Sequence, residues 1–179
     1  MSVQEVFTKL ATHMIKGLMV HDQLADYYIF LGLEGYHLEH EHQYLSESKT
    51  YRDLCYYYMS HYDALLPIDK VDDPQIIPSA WYKYNRFDVD ISTRRNGIEA
   101  GFKIWRDWET KTIKLYEELA KNLYDLGEIS AYQFATNLVQ MVDAELQNIV
   151  NSIFMLSSTN YDMTYISEVQ EKLIEKHKD

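Results

Sequence analysis

The sequence predicts an all-α fold: a four-helix bundle with a long connection between its second and third helices and a short fifth helix at the C-terminus. Apolar residues recur at helical spacing over long stretches. Only six glycines and three prolines interrupt the 179 residues. Hydrophobic residues make up 46% of the chain, which suffices for the core of one domain. We therefore expect a single domain over residues 1–179.

The first two helices are predicted over residues 3–36 and 44–66. Apolar residues at helical spacing mark the first helix: Phe7, Leu10, Met14, Leu18, Leu24, Tyr28 and Leu31. The polar stretch from His37 to Gln43 is interpreted as the loop between the helices. The second helix is expected to end at Leu66, because the residue before a proline disfavours helical geometry.

Residues 67–95 contain all three prolines and are predicted to form a long crossover. A structureless loop of this length is unusual inside a compact domain. It is expected where it runs the length of a bundle and lets the second and third helices lie parallel.

The third helix is predicted over residues 96–126, with Asn96 as its cap, Glu99 three residues later, and Gly127 as its stop. A second capping pattern at Ser130 opens a fourth helix over residues 130–156. A short amphipathic fifth helix is predicted over residues 164–177.

The charge and cysteine content exclude several classes of function. A formal charge of −11 disfavours nucleic acid and anionic membranes as partners and favours cations. No segment reaches the roughly 18 apolar residues of a membrane span. The single cysteine, Cys55, excludes an internal disulfide, and the first residues lack the pattern of a signal peptide. We expect a reduced, cytoplasmic setting.

Polar residues occupy inward positions of the predicted helices. They are Gln23 on the first helix, Tyr58 and His61 on the second, Glu109 on the third and Glu145 on the fourth. A buried ionisable group is costly unless it is paired or bound to a metal. Carboxylates with one imidazole suit iron. A metal site and a buried hydrogen-bonded cluster both remain open.

At these residues the chain resembles the ferritins. The stretch from Trp108-Glu109-Thr110 to Ala144-Glu145-Leu146, with the turn at Leu126-Gly127-Glu128, is similar to the third and fourth helices of bacterial ferritins. Tyr58-Met59-Ser60-His61 resembles the Glu-x-x-His of the second ferritin helix, and the tail from Met163 resembles the fifth. The resemblance implies a ferritin-like four-helix bundle that handles iron.

The resemblance also implies a degenerate metal centre. The family's ligands fall on His61, Glu109 and Glu145, whereas Gln23, Tyr58 and Val142 stand where the family has a helix-one glutamate, a bridging glutamate, and a Gln or Glu. The resemblance therefore implies a weakened two-iron centre or a mononuclear site of His61, Glu109 and Glu145. Tyr58 is then either a phenolate ligand or a packing residue.

Three further signals are weaker. Tyr36-His37-Leu38 resembles the Tyr-His-Trp of the DNA-protecting Dps branch, but the fifth helix favours the ferritin and bacterioferritin branch. Met59 falls where bacterioferritins bind haem, and here we expect a packing residue and no haem. Residues 37–42 hold three histidines and two glutamates, which suits either a zinc or iron site or a solvated loop.

The resemblance implies self-association into a hollow iron-storage shell of about 24 subunits. If the chain is active, the expected reaction is oxidation of ferrous iron. Two alternatives remain open: a structural or interaction protein that has lost the two-iron chemistry, and an isolated bundle that neither assembles nor binds metal.

Overall fold

The computed structural model describes residues 1–178 and confirms the all-α prediction, since no strand occurs in that part of the chain. The helices are α1 (Val3–Phe30), α2 (Glu34–Tyr62), α3 (Ile91–Asp125), α4 (Ile129–Ser158) and α5 (Met163–Lys176). A 3-10 turn, Trp81–Lys83, lies in the crossover. Within residues 1–178, no helix is long and apolar enough to cross a membrane.

The bundle consists of two helical hairpins. α1 packs along α2 and α3 along α4, while contacts between α1 and α3 join the two hairpins and α5 lies against α2. Two apolar clusters fill the interior. The first cluster includes Phe7, Met14, Leu54, Tyr58, Tyr116, Leu119, Leu138 and Val142. The second cluster includes Leu24, Tyr28, Tyr36, Phe102, Trp105, Ile149 and Leu156.

The predicted boundary between the first two helices is wrong. α1 ends at Phe30, because Gly32 adopts φ +79° and the N–H of Leu33 donates to the carbonyl of Tyr28 at 2.9 Å. This is the left-handed stop that glycine provides at helix C-termini. α2 then begins at Glu34, ten residues before the expected Tyr44. Residues 37–43, predicted to be a loop, are helical.

The fifth helix completes the N-terminus of α2. No side chain of α2 or its flanks caps this end. Instead, Gln170 of α5 accepts hydrogen bonds at its Oε1 from the N–H groups of Gly35, at 2.7 Å, and Tyr36, at 3.4 Å. A Cβ on Gly35 would approach the Gln170 carbonyl to 2.7 Å, so close approach of the two helices requires glycine at this position.

The remaining boundaries lie nearer to the predictions. α2 ends at Tyr62, four residues before Leu66, and α3 begins at Ile91, five residues before Asn96. Asp90 caps α3, because its Oδ1 accepts from the N–H of Thr93 at 2.7 Å. Both ends of α4 and of α5 fall within two residues of the predicted positions. The long crossover is present between Tyr62 and Ile91.

Candidate metal centre

A polar layer lies between the two apolar clusters. On α3, Glu109 falls between Trp105 of the second cluster and Tyr116 of the first. On α4, Glu145 likewise falls between members of the two clusters. On α1, His21 occupies the matching position. One ligand atom from each of His21, Glu109 and Glu145 lies within 4.8 Å of the others, so three helices bring three donors to one point.

Helical spacing explains why His21 points inward. Phe7, Leu10, Met14, Gly17, His21, Leu24 and Tyr28 follow one another in alternating steps of three and four, and all seven are buried. Residues at this spacing share one face of a helix. His21 is therefore an imidazole in the middle of the inner face of α1.

Glu47 of α2 completes the polar layer. Its Oε1 lies 3.4 Å from Nε2 of His21, and Oε1 of Glu109 lies 3.7 Å from the same nitrogen. Gly17 makes room for this carboxylate, because a Cβ there would be 2.7 Å from Oε2 of Glu47. The layer thus contains one imidazole and three carboxyl groups.

Several of these buried polar atoms have no hydrogen-bond partner within residues 1–178. They are Nε2 of His21, Oε1 of Glu109 and Oε2 of Glu47. A buried polar atom without a partner costs about 1–3 kcal/mol, and such atoms are rare in folded proteins. A cation held between the imidazole and the carboxylates would bind these atoms, and one nitrogen with several oxygens is a donor set that suits iron. The residues present therefore fit a metal ion.

The protonation of the layer follows from its burial. Desolvation raises the pKa of Glu109 well above its usual value, and the charges of Glu145 and Glu47 raise it further. Desolvation also raises the pKa of Glu145 to about 7, although His21 opposes this shift. Desolvation lowers the pKa of His21, but the nearby carboxylates outweigh it and the net pKa is raised. In the absence of a cation, the raised pKa values favour protonation of these three groups, which limits repulsion among the carboxylates.

A second set of contacts orients the layer. The Nε1–H of Trp105 donates to Oε1 of Glu145 at 3.1 Å. Nδ1 of His21 lies 3.0 Å from Nδ1 of His40 on α2.

A small cavity of about 60 Å³ also adjoins the layer. It is lined by Glu47, Glu145 and their neighbours Met14, Gln43, Ser46, Thr50, Tyr116, Leu138, Met141 and Val142. It is large enough for a water molecule or an ion.

Two of the five predicted site residues lie in this layer. Glu109 and Glu145 come together as the helical seam predicted. His61 does not join them: it is exposed, and its Nδ1 lies 2.9 Å from the Tyr57 carbonyl on its own helix. The predicted inward orientation of His61 is therefore wrong.

Tyr58 and Gln23 also lie outside the layer. Tyr58 is buried, as predicted, but it packs in the first apolar cluster against Phe7 and Tyr62. Gln23 holds the crossover: its Nε2 donates to Oδ1 of Asp73 at 2.6 Å, and its Oε1 accepts from the N–H of Ile76 at 3.0 Å.

Sequence reasoning missed His21, His40 and Glu47 for two reasons. The polar composition of residues 37–43 concealed the start of α2, although Gly32 marks the end of α1 as clearly as Gly127 marks the end of α3. The comparison with the ferritin motif therefore assigned Tyr58 of α2 to the metal centre. The residue of α2 that faces the polar layer is Glu47, about three helical turns away. His21 was passed over in favour of Leu18 and Gln23, which lie off the inner face.

The other polar signals have separate locations. The predicted metal cluster over residues 37–42 does not form a group of its own: in residues 1–178, only His21, Glu109 and Glu145 bring three such ligand atoms within 4.8 Å. His40 is fully buried, whereas the ring of His42 lies 5.1 Å from that of His177 with the two planes tilted by 39°. Met59 is 44% exposed on the surface of α2.

Solved ferritin structures share this architecture. The apo-ferritin from Pseudo-nitzschia multiseries matches with a TM-score of 0.72 and 11% sequence identity, over 93% of this chain and 95% of that chain. The chain has a ferritin-like fold. A humanized archaeal ferritin matches this ferritin-like chain with a TM-score of 0.73 and 16% identity, over 95% of this chain and 93% of that chain.

A variant of the ferritin PmFTN soaked in iron also matches, with a TM-score of 0.73 and 12% identity over 93% of this chain and 95% of that chain. No family model matches the ferritin-like chain. No curated protein sequence matches it either. The likeness therefore establishes the fold and does not resolve the branch.

Proposed function

We propose that this ferritin-like chain binds ferrous iron as its cargo at the layer formed by His21, Glu109 and Glu145, with Glu47 as a fourth donor. We further propose that the chain is the subunit of a cytoplasmic iron-storage shell. The observation that supports the iron site is the set of buried donor atoms that face one another without hydrogen-bond partners. An imidazole nitrogen with carboxylate oxygens favours iron over softer metals.

The charge of the chain supports a cationic cargo. Its formal net charge is −11, and a negative field raises the local concentration of cations. The polar layer itself contains three carboxyl groups and one imidazole, so it gains stability when a divalent cation replaces the protons that the raised pKa values of Glu109 and Glu145 retain.

The proposed centre is mononuclear. His21, Glu109 and Glu145 form one compact group, and within residues 1–178 Glu47 is the only further carboxylate that contacts it through His21. Joint oxidation by two metals requires two ions held about 3.5–4 Å apart by shared ligands. Three donors around one point, with Glu47 beside His21, support one ion, so we expect any oxidation of ferrous iron to be slow compared with its binding.

A structural role is the second candidate, and one observation favours it. The layer has internal contacts that do not need a metal, namely the Trp105 hydrogen bond to Glu145 and the approach of Glu47 to His21. A protonated layer of this kind is a buried polar cluster, and the chain would then be a scaffold that has lost the two-iron chemistry.

Anaerobic titration of the metal-free protein with ferrous iron separates the two candidates. The wild type is expected to bind one ion per chain. The double variant His21→Ala plus Glu109→Ala is expected to lose more than the roughly 10–100-fold in affinity that loss of an outer partner costs. The matched control is His61→Ala, which removes an exposed imidazole and should leave the affinity unchanged. Uptake no greater than that of a carrier-protein blank would leave only the structural candidate.

Assembly is tested separately by native mass spectrometry or light scattering. A closed particle of about 24 subunits supports the shell. A monomer removes the shell from the proposal and leaves the iron site to be decided by the titration.

A further inference from the structure

A second imidazole, that of His40, lies next to His21 on the side away from the carboxylates of the polar layer. We infer that His40 is a positioning residue whose Nδ1 accepts a hydrogen bond from the Nδ1–H of His21. This hydrogen bond keeps the proton of the neutral His21 ring on Nδ1 and leaves the lone pair of Nε2 free to bind a cation. This inference rests on the proposed function, because it concerns the same site.

The rings of His21 and His40 contact each other directly in the interior of the bundle. Their Nδ1 atoms are 3.0 Å apart, and both side chains are fully buried. A hydrogen bond between two imidazole nitrogens requires a proton on one of them and a lone pair on the other. The contact therefore couples the choice of protonated nitrogen in His40 to that in His21.

In the part of the chain that the structure describes, His40 makes no other hydrogen bond that would explain its burial. Its Nε2 has no hydrogen-bond partner. Its ring stacks on Tyr28, with centroids 5.2 Å apart and planes 10° apart, and it meets Trp105 edge-on at 4.4 Å. An apolar side chain would fill this aromatic pocket without leaving an unpaired nitrogen. The contact with His21 is what the imidazole adds.

The direction of the hydrogen bond follows from the needs of a ligand. An imidazole that binds a cation through Nε2 must keep its remaining proton on Nδ1, and that proton needs an acceptor. Nδ1 of His40 is the atom in position to accept it. In the opposite arrangement His40 donates, Nε2 of His21 carries the proton, and no lone pair faces Glu47 and Glu109.

A neutral imidazole also suits this position better than the carboxylate that commonly supports a metal-bound histidine. The layer already holds Glu47, Glu109 and Glu145, and a fourth buried carboxylate would add repulsion among like charges. His40 provides the acceptor without adding negative charge.

The first test uses the metal-free protein and does not depend on metal binding. Magic-angle-spinning ¹⁵N NMR of histidine-labelled protein distinguishes protonated from unprotonated ring nitrogens in a monomer or a shell. We expect a proton on Nδ1 of His21 and on Nε2 of His40, with His40→Leu used to assign the signals. A proton on Nδ1 of His40 with an unprotonated Nδ1 of His21 overturns the inference.

The second test compares two substitutions in binding of ferrous iron without oxygen, and of Zn²⁺ as a redox-inert probe. His40→Leu removes the acceptor and should lower affinity about 10–100-fold. His40→Gln supplies an amide oxygen and should recover a clear part of that loss. Circular dichroism confirms that each variant folds, and His42→Leu, two residues away and outside the layer, should bind as the wild type does.

Equal affinity in wild type and His40→Leu overturns the inference, and so does an equal loss in His40→Leu and His40→Gln, because packing alone would then explain the effect. If the wild type binds neither metal, the proposed function fails, while the NMR result still decides how His21 and His40 share their proton.

Discussion

The α1–α2 hairpin and the α3–α4 hairpin turn in the same way but have very different inner faces. Gly32 at φ +79° ends α1, and Gly127 at φ +77° ends α3. The α3–α4 hairpin places one glutamate on each helix within a largely apolar seam, whereas the α1–α2 hairpin contributes His21, His40 and Glu47 to the interior. Each hairpin therefore contributes two of the four proposed donors, and the α1–α2 hairpin, whose seam is less apolar, adds His40 behind them.

Because of this difference, the inward residues of α3 and α4 can be predicted from the sequence more easily than those of α2. On α3 the residues that follow one another in steps of three and four are all buried: Ile98, Phe102, Trp105, Glu109, Thr112, Tyr116, Leu119 and Leu123. On α2 the buried line includes His40, while Leu45, Tyr56 and Met59 are exposed. Hydrophobicity therefore does not mark the inner face of α2, and a helix period is hard to detect there.

Removal of a buried aromatic ring from the apolar seam of α3 should lower the stability of the protein more than any other change considered below. Phe102 of α3 is fully buried in the second cluster, so Phe102→Ala should lower the free energy of unfolding by about 3–5 kcal/mol. Urea unfolding followed by circular dichroism measures this loss. Phe87 in the crossover is 91% exposed, and Phe87→Ala should change stability by no more than about 0.5 kcal/mol. Similar losses for both would contradict the packing described here.

The second prediction concerns the polar layer without metal. Glu109 is 1% exposed and has an unpaired Oε1, so Glu109→Leu, which removes a buried acceptor atom that lacks a hydrogen-bond partner, should raise the stability of the metal-free protein by roughly 1–3 kcal/mol. The same variant should lose ferrous iron binding. Glu118→Leu on the exposed face of α3 is the control. A loss of stability in Glu109→Leu would mean that the carboxyl group is better satisfied than the structure indicates.

The third prediction is a pH dependence. The pKa of Glu145 is raised from 4.5 to about 7, so the folded state binds more protons than the unfolded state between these values. Stability from this group is fully present below about 4.5 and is lost as pH rises towards 7, by roughly 1–3 kcal/mol. Glu109 acts in the same direction because its pKa is also raised.

The pH effect is measured as the difference between the wild type and the Glu109→Gln plus Glu145→Gln variant in metal-free urea titrations. This difference cancels contributions from groups elsewhere. The wild type should lose stability relative to the variant as pH rises. A difference that is constant with pH, or that changes in the opposite direction, would show that these carboxyl groups titrate normally.

The fourth prediction concerns the glycine stop that ends the first helix of each hairpin, and its expected effect on stability is the smallest. Gly32→Ala and Gly127→Ala both place a side chain at positive φ, which costs about 1 kcal/mol. Gly32→Ala should cost slightly more, because its Cβ would also meet Nη1 of Arg94 at 3.2 Å, whereas nothing lies within 4 Å of a Cβ on Gly127. Thermal unfolding of both variants provides the comparison. No cost at Gly32 would argue against the stop that places α2.

The fold and half of the site were predictable for physical reasons that can be stated. Long apolar seams and the prolines of the crossover predicted the bundle, and Glu109 and Glu145 interrupt those seams visibly. His21 sits at a regular seam position that a strict count from Phe7 would have found. His40 and Glu47 depend on where α2 begins, and that depends on Gly32 and on Gln170, which is more than 130 residues away in sequence.

We propose that His21, Glu109 and Glu145 bind one cation together. Crystals soaked anaerobically in ferrous iron, with diffraction recorded on both sides of the iron absorption edge, test it most directly. We expect one anomalous peak per chain, bonded to Nε2 of His21 and to the carboxylates of Glu109 and Glu145. A peak beside His61, or an empty layer at pH above 7 where Glu145 is ionised, would contradict it.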